Sequence, residues 1–199
     1  TTPSDWKRGI PQAIQYPSTP ESPGGAVASA VVNGAGWIMS VTDENGYRTC
    51  YAYDAMGRLA STSYPSETKA GTCDISAWNA TAQVFEPIGA AEYGIPAGHW
   101  RQTISTGNGR QETYYDALWQ PLLVREYDAG DVAATQRFTV FGYDHEGRKT
   151  FASYPLGSLA SIAGATKGVR TRYDAMGRVD RVTQNSEYDA TLGPLTTST

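Results

Sequence analysis

The residues whose type could support acid–base chemistry include four aspartates that follow a tyrosine within similar sequences: Asp54, Asp116, Asp144 and Asp174. Two carboxylates held close together can act as general acid and general base, as in glycoside hydrolysis. In three of the four cases, however, a glycine stands three residues later. Asp at the first position and Gly at the fourth are typical of a type I turn, in which the Asp side chain accepts backbone N–H groups. We therefore interpret the aspartates as turn caps.

His99 and His145 are the only histidines. A protein metal site needs several convergent ligands, and neither histidine has a His or Cys at ligand spacing. His145 falls inside a predicted turn, which favours a solvated side chain, and His99 precedes Trp100 at the start of a predicted strand, which favours packing. The sequence also has no Gly-x-Ser-x-Gly nucleophile motif and no phosphate-binding loop. We expect no cofactor, no metal and no enzymatic activity.

The two cysteines, Cys50 and Cys73, are too few for a disulfide scaffold or for a zinc site made of cysteines alone. A bridge between them would close a loop of roughly two dozen residues and would stabilise the fold by about 3 kcal/mol. Two buried free thiols are the alternative. The sequence leaves both open.

The charge pattern argues against nucleic acid and membrane partners. The net charge is -4, and Lys and Arg are scattered along the chain, often as isolated residues, whereas nucleic acid binding needs a basic surface stripe. There is no apolar run near the roughly 18 residues that a membrane helix requires. The chain has no initiator Met and no signal peptide, and we expect it to be a piece of a longer protein.

A six-residue motif recurs along the chain. Its full copies are Tyr53–Arg58, Tyr143–Arg148 and Tyr173–Arg178, and its weaker copies are Tyr115–Gln120 and Val32–Trp37. The motif residues are Tyr53, Asp54, Gly57, Arg58, Tyr115, Asp116, Tyr143, Asp144, Gly147, Arg148, Tyr173, Asp174, Gly177 and Arg178. Each copy predicts a hairpin tip, in which the glycine takes the left-handed conformation of a bulge. Stacking of the Arg on the Tyr of the same hairpin would add about 0.5–1 kcal/mol.

The sequence between these tips reads as strand. Alternate residues from Tyr47 to Tyr53 are aromatic or β-branched, which places them on one face of a strand. Asp43–Gly46 and Gly107–Arg110 contain Asn-Gly pairs, which predict a second class of turn alternating with the first. Trp119 occupies the glycine position of its motif, so we expect that hairpin to turn differently, with help from Pro121.

The Tyr-Asp-x-x-Gly-Arg unit, followed by an apolar strand and often by Tyr-Pro (Tyr64-Pro65, Tyr154-Pro155), resembles the RHS or YD repeat. That repeat occurs in bacterial RHS proteins, insecticidal Tc toxin components and teneurins. The resemblance covers most of residues 7 to 184 and is weakest from 65 to 97. It implies an all-β fold of consecutive antiparallel β-hairpins in a strongly curved sheet, forming a sector of a shell. In bacterial members this shell encloses a toxic polypeptide.

From the resemblance we expect one repeat region over residues 1–199, with an irregular insertion at 65–99. It would be a non-enzymatic structural segment of a large secreted or toxin-encapsulating RHS protein. Its partners would be the flanking repeats and an enclosed toxin polypeptide, and its location would be secreted or on the cell surface. Self-cleaving family members carry Asp-Pro-x-Gly elements, and the sequence has no Asp-Pro pair, so we do not carry that protease activity over.

A surface that binds carbohydrate or protein is the alternative function. The tryptophans, together with 13 tyrosines, could stack on sugars or pack across strands. An exposed group of Trp and Tyr on one face would favour binding, and buried rings would argue against it. The five tryptophans are Trp6, Trp37, Trp78, Trp100 and Trp119.

Overall fold

A computed structural model describes residues 2–74, 80–185 and 195–198. In this part of the chain there are fifteen strands, one helical turn and one 3₁₀ turn at Ile162–Gly164. The elements are β1 (Thr2–Lys7), β2 (Ile10–Gln15), β3 (Val27–Val32), β4 (Ile38–Thr42), β5 (Arg48–Tyr53), β6 (Leu59–Ser63), β7 (Thr81–Pro87), β8 (Trp100–Thr106), β9 (Gly109–Tyr115), β10 (Pro121–Asp128), α1 (Val132–Thr135), β11 (Arg137–Tyr143), β12 (Lys149–Ser153), β13 (Gly168–Tyr173), β14 (Val179–Gln184) and β15 (Leu195–Ser198). The chain divides into two compact units, residues 1–83 and 84–199.

The first unit is a series of antiparallel hairpins. Each strand from β1 to β6 pairs with the next strand in the chain, and the first residues of β7 pair with β6. Among the described residues of this unit, Val32 is the one buried hydrophobic residue. A disulfide joins Cys50 in β5 to Cys73 in the loop after β6, with a Cα–Cα distance of 6.0 Å. The bridge thus ties a long loop to a strand where few side chains are buried.

The second unit continues the same pattern and adds a core. Strands β8 to β15 pair in chain order, all antiparallel. Tyr114 lies opposite Leu123, and Leu123 lies opposite Val140, so the three side chains share one face of the sheet. The loops before β8 and β13 cover this face with Ile95 and Ala165. These long connections act as the second layer that covers the apolar face of the sheet.

The buried carboxylate of Glu112 in the second unit is held by hydrogen bonds. Glu112 accepts from the Tyr114 and Tyr127 hydroxyls, both at 3.0 Å, and from Arg125 at 3.3 Å. Burial, together with the Glu112 carboxylate, raises the pKa of both tyrosines. They therefore stay neutral and donate to Glu112, whose charge would be costly to bury unpaired.

The predicted fold class is confirmed: the described chain is nearly all β and consists of consecutive antiparallel hairpins. Curvature of the sheet and its place in a shell stay predictions. The segment 65–99, expected to be irregular, contains strand β7 between two loops, and residues 75–79 within it lie outside the described residues. The boundary between the two units also falls in this segment.

Removing the Leu123 side chain tests the core of the second unit. Leu123 is 0% exposed, so Leu123→Ala should lower the free energy of unfolding by about 2–5 kcal/mol. Leu118 is 75% exposed, and Leu118→Ala should change it by no more than about 0.5 kcal/mol. Urea titration of the full chain, followed by tryptophan fluorescence, measures both. Equal losses in the two variants would contradict the assigned burial.

The disulfide is tested by removing both sulfur atoms. The double variant Cys50→Ala, Cys73→Ala should lose about 3 kcal/mol of unfolding free energy, because the open loop gains entropy in the unfolded chain. Thiol titration of the unreduced protein in denaturant gives an independent reading. Two reactive thiols in that experiment would disprove the bridge.

Candidate functional site

The motif turns share one set of hydrogen bonds centred on the aspartate. In the first full copy, Asp54 Oδ1 accepts the backbone N–H groups of Met56 and Arg58, both at 2.9 Å. The Gly57 N–H donates to the Asp54 carbonyl at 3.0 Å, with φ +80° at Gly57. The same bonds form around Asp116, Asp144 and Asp174. The predicted role of the aspartates as turn caps agrees with this geometry.

The arginine of each full motif pairs with the aspartate of its own turn. The Nε–Oδ2 distance is 2.7 Å for Arg58–Asp54, 2.7 Å for Arg148–Asp144 and 2.9 Å for Arg178–Asp174. Hydrogen bonds from the backbone and then the side chain of the arginine lower the pKa of Asp54 and of Asp174. At Asp144 partial burial opposes the shift, yet the hydrogen bonds from Arg148 still lower the pKa. These carboxylates are held ionised, which is the opposite of what a general acid needs.

The tyrosine of the motif connects its hairpin to the preceding one. Its hydroxyl donates to the backbone carbonyl of the first residue in the return strand of the preceding motif. The pairs are Tyr53–Ile38 at 2.8 Å, Tyr143–Pro121 at 3.1 Å and Tyr173–Lys149 at 3.0 Å. Tyr115 departs from the rule, because its hydroxyl donates to the Gln102 side chain at 3.0 Å. The connection that would carry the preceding motif is the loop between β7 and β8, and this loop contains no copy of the motif.

The last residue of the motif also reaches the next turn. The Trp37 ring packs on the Tyr53 ring at a centroid distance of 5.2 Å. The Arg148 guanidinium lies over the Tyr173 ring at 4.7 Å. The expected stacking of an arginine on the tyrosine of its own hairpin is therefore wrong for Arg148. Its long side chain bonds to Asp144 on one side and covers the ring of the following hairpin.

Two separate constraints favour glycine at the fourth turn position, as Gly57 shows. Its positive φ disfavours any residue with a Cβ. In addition, a Cβ there would lie 2.7 Å from Cζ2 of Trp37, which belongs to the preceding turn. Neighbouring turns are thus in side-chain contact at both the tyrosine and the glycine.

Trp119 does not change its turn, contrary to the expectation from the sequence. It takes φ +64°, close to the values of the motif glycines, and keeps the backbone hydrogen bond to Asp116. A left-handed tryptophan costs backbone energy that its surroundings must offset. Its ring stacks on Phe85 at 5.2 Å and approaches Trp100 at 5.4 Å. Ring packing therefore holds the strained turn.

The second predicted class of turn is also wrong for Asp43–Gly46. Asp43 Oδ1 accepts the N–H groups of Asn45 and Tyr47, and Gly46 takes φ +84°. This is the turn of the tyrosine motif without its tyrosine and arginine. Gly107–Arg110 does differ: Gly107 takes φ +56° in a two-residue connection between β8 and β9. The geometry of the tip at Gly46 is set by the Asp three residues before it and not by the Asn-Gly pair.

The aromatic residues are neither all buried nor all exposed. Phe85, Trp100, Tyr115 and Trp119 form one cluster, in which Trp119 remains 54% exposed. Trp6 is exposed as well, and Trp78 lies outside the described residues. This mixture leaves the carbohydrate- or protein-binding alternative a prediction.

The two histidines occupy different environments. His99 is buried, with Nδ1 2.9 Å from the Pro96 carbonyl and Nε2 3.4 Å from the Glu92 carboxylate. Glu92 also pairs with Arg101 at 3.2 Å. His145 is exposed at its turn. Within the described ranges no group of three or more His, Cys, Asp or Glu could hold a metal, and no helix there is long and apolar enough to cross a membrane.

Sequence reasoning missed the contacts between neighbouring turns and the polar group around Glu112. The motif spacing gives the position of each tip along the chain but not which side chain of one hairpin meets the next. A signal was present in the tyrosine that starts every full motif. It has no role within its own turn, which leaves a neighbouring hairpin as its partner.

One family model matches part of the chain. Residues 32–69 match the family model of the RHS repeat, and this range includes the turns at Val32–Trp37 and Tyr53–Arg58. None of the curated proteins matches the chain. A solved structure of the Photorhabdus luminescens Tc holotoxin pore is similar over 86% of this chain at 10% sequence identity and a TM-score of 0.24. The matched part is 12% of that toxin chain, so this chain spans a small fraction of its length.

Alanine at the motif glycine tests the contact between neighbouring turns. Gly46 and Gly57 have nearly the same φ, but the space around Gly46 is empty. Gly46→Ala should lower the free energy of unfolding by about 1 kcal/mol, because alanine disfavours the left-handed backbone. Gly57→Ala should lower it by about 1–3 kcal/mol more, because its methyl group also overlaps Trp37. With Trp37→Ala in the background, the difference between the two variants should vanish. Urea unfolding of the four proteins measures it, and an unchanged difference would refute the contact.

The lowered pKa values of Asp54, Asp144 and Asp174 predict a loss of stability in acid. A carboxylate with a lower pKa in the folded state stabilises fully above its unfolded pKa, near 3.9, and loses this effect as the pH falls through the folded value. The unfolding free energy should therefore drop below about pH 4. Exchanging all three for Asn should flatten that drop, as measured by urea titrations from pH 2 to 7. An equally steep drop in the triple variant would contradict the assignment.

Proposed function

Because this chain carries the RHS repeat, we propose that it is a non-enzymatic structural segment of the wall of a large, toxin-encapsulating RHS protein. Its partners are the flanking repeats of the same protein and the toxin polypeptide that the wall encloses. The observation that carries the proposal is the contact between successive turns: Tyr143 bonds to the preceding hairpin, and Arg148 reaches the following one. A unit that makes such contacts on both sides can be extended by adding further units.

The use of the motif residues supports a structural role. The aspartates of the three full motifs accept two backbone N–H groups and one guanidinium each. A carboxylate with these partners is engaged in the turn and is not available to transfer protons. The same arrangement at several tips fits an architectural need better than a single catalytic site.

The bridge between Cys50 and Cys73 supports a location outside the reducing cytosol. Disulfides persist in secreted and cell-surface proteins and are rare where thioredoxin and glutathione keep thiols reduced. We accordingly place the parent protein among secreted or surface proteins.

The first test is the extent of the native protein. Intact mass and peptide mapping of the protein from its natural source should give a chain of many hundreds of residues, with Tyr-Asp-x-x-Gly-Arg units on both sides of this segment. A native protein that ended near residue 199 with no further repeats would overturn the proposal that this chain is a wall segment.

Enclosure is tested on the same full-length protein. Under native conditions the enclosed polypeptide should resist a broad-specificity protease, and in urea that opens the wall it should be cut. The matched control is the enclosed polypeptide expressed by itself, which should be cut in both conditions. Equal cleavage of the enclosed and free forms under native conditions would disprove encapsulation.

A further inference from the structure

The turn Tyr115–Gln120 has the aspartate of the motif but lacks its arginine. Asp116 Oδ1 accepts the N–H groups of Leu118 and Gln120 at 2.8 and 2.9 Å. In the part of the chain that the structure describes, Asp116 Oδ2 has no hydrogen bond and no ion pair. In each of the three full motifs the corresponding oxygen accepts an arginine Nε at 2.7–2.9 Å. Asp116 therefore presents an oxygen that elsewhere in this chain holds a guanidinium.

The aromatic partner of that guanidinium is present as well. Arg148 lies between Asp144 of its own turn and the Tyr173 ring of the next hairpin. At the Asp116 turn the corresponding ring is Tyr143, whose hydroxyl bonds to Pro121 in the same way that Tyr173 bonds to Lys149. Among the described residues no cation lies over the Tyr143 ring. Burial raises the pKa of the Tyr143 hydroxyl most, and the nearby charge of Asp116 raises it further.

Gln120 does not replace the missing group. Its side-chain amide donates to the Gly147 carbonyl at 3.3 Å and is directed toward the next turn. A neutral amide leaves the charge of Asp116 uncompensated, and it cannot make the ion pair that the Arg–Asp turns make.

We propose that Asp116 and Tyr143 form a receptor for an arginine side chain of a partner polypeptide. The carboxylate supplies a charge-assisted hydrogen bond and the ring supplies a flat surface on which a guanidinium stacks. Lysine fits less well, since its ammonium group is not planar and is more strongly hydrated. The net charge of -4 favours approach of a basic segment. In the motif Tyr143–Arg148 such a pair of groups holds Arg148, and in all three intact motifs the aspartate holds the arginine of its turn.

Binding is tested with the full chain and a peptide that contains one arginine, acetyl-Gly-Gly-Arg-Gly-Gly-amide. Nuclear magnetic resonance of the ¹⁵N-labelled chain should show saturable shifts at the Leu118 and Gln120 amides and at the Tyr143 ring. The citrulline peptide has the same shape without the charge and should bind at least about tenfold more weakly. Equal shifts with both peptides would overturn the proposal. Shifts of the same resonances by cellohexaose, with none by the arginine peptide, would also overturn it and assign the surface to carbohydrate.

Two variants locate the site. Asp116→Asn should weaken binding of the arginine peptide by about tenfold. Gln120→Arg should restore the internal Arg–Asp pair and weaken peptide binding to the same extent. The amide resonances away from this turn should remain those of the parent chain. Because Gln120→Arg adds a contact found in the sister turns, it tests the receptor even if Asp116→Asn disturbs its turn. Unchanged affinity in Gln120→Arg would refute the proposal.

Asp43→Asn is the matched control. Asp43 caps a turn of the same geometry, with Tyr47 where the motif has arginine. Among the described residues its second oxygen has no guanidinium partner either. The turn joins β4 to β5, at the opposite end of these two strands from the motifs Val32–Trp37 and Tyr53–Arg58. Asp43→Asn should leave the affinity for the arginine peptide unchanged. A loss equal to that of Asp116→Asn would mean that general negative charge, and not the receptor, attracts the peptide.

Discussion

The aspartate cap at each hairpin tip is the interaction on which the other contacts depend. Asp54 Oδ1 holds the N–H groups of Met56 and Arg58, and this forces the residue between them into the left-handed region. The turn then directs the side chain of its last residue along the row of tips. Contacts such as that between Trp37 and Tyr53 exist because both turns have the same shape. One hydrogen-bonding pattern therefore sets both the hairpin and its spacing to the next.

Such a design explains how a sheet with few buried side chains is held together. The first unit has little hydrophobic burial among its described residues, and its strands are linked through turn contacts and the Cys50–Cys73 bridge. The second unit adds Ile95 and Ala165 from long loops, which cover one face around Leu123. Where neighbour contacts carry the stability, each unit can vary its covering loops without changing the repeat.

Variation within the repeat shows which parts of it are essential. Trp119 replaces the glycine and Gln120 the arginine, yet the turn at Asp116 keeps all of its backbone hydrogen bonds. The aspartate suffices for the turn, whereas an arginine in the motif, as Arg148 shows, pairs with that aspartate and also contacts the following hairpin. The turn at Asp116 therefore forms without the arginine, and among the described residues its aspartate keeps one oxygen without a guanidinium partner. A repeat can in this way gain a binding position without losing its structural role.

The sequence by itself determined the class of fold and the positions of most tips, because an Asp followed three residues later by Gly fixes a turn through local hydrogen bonds. It also marked Cys50 and Cys73 as possible partners, without deciding between bridge and thiols. Only the tertiary structure decided that Arg148 covers Tyr173 of the next hairpin and that Trp119 keeps a left-handed turn by packing against Phe85. It also decided that Glu112 takes donors from β10 as well as from its own strand. Local rules settle backbone turns within a few residues. The choice of side-chain partner depends on strand register, which brings together residues far apart in the chain.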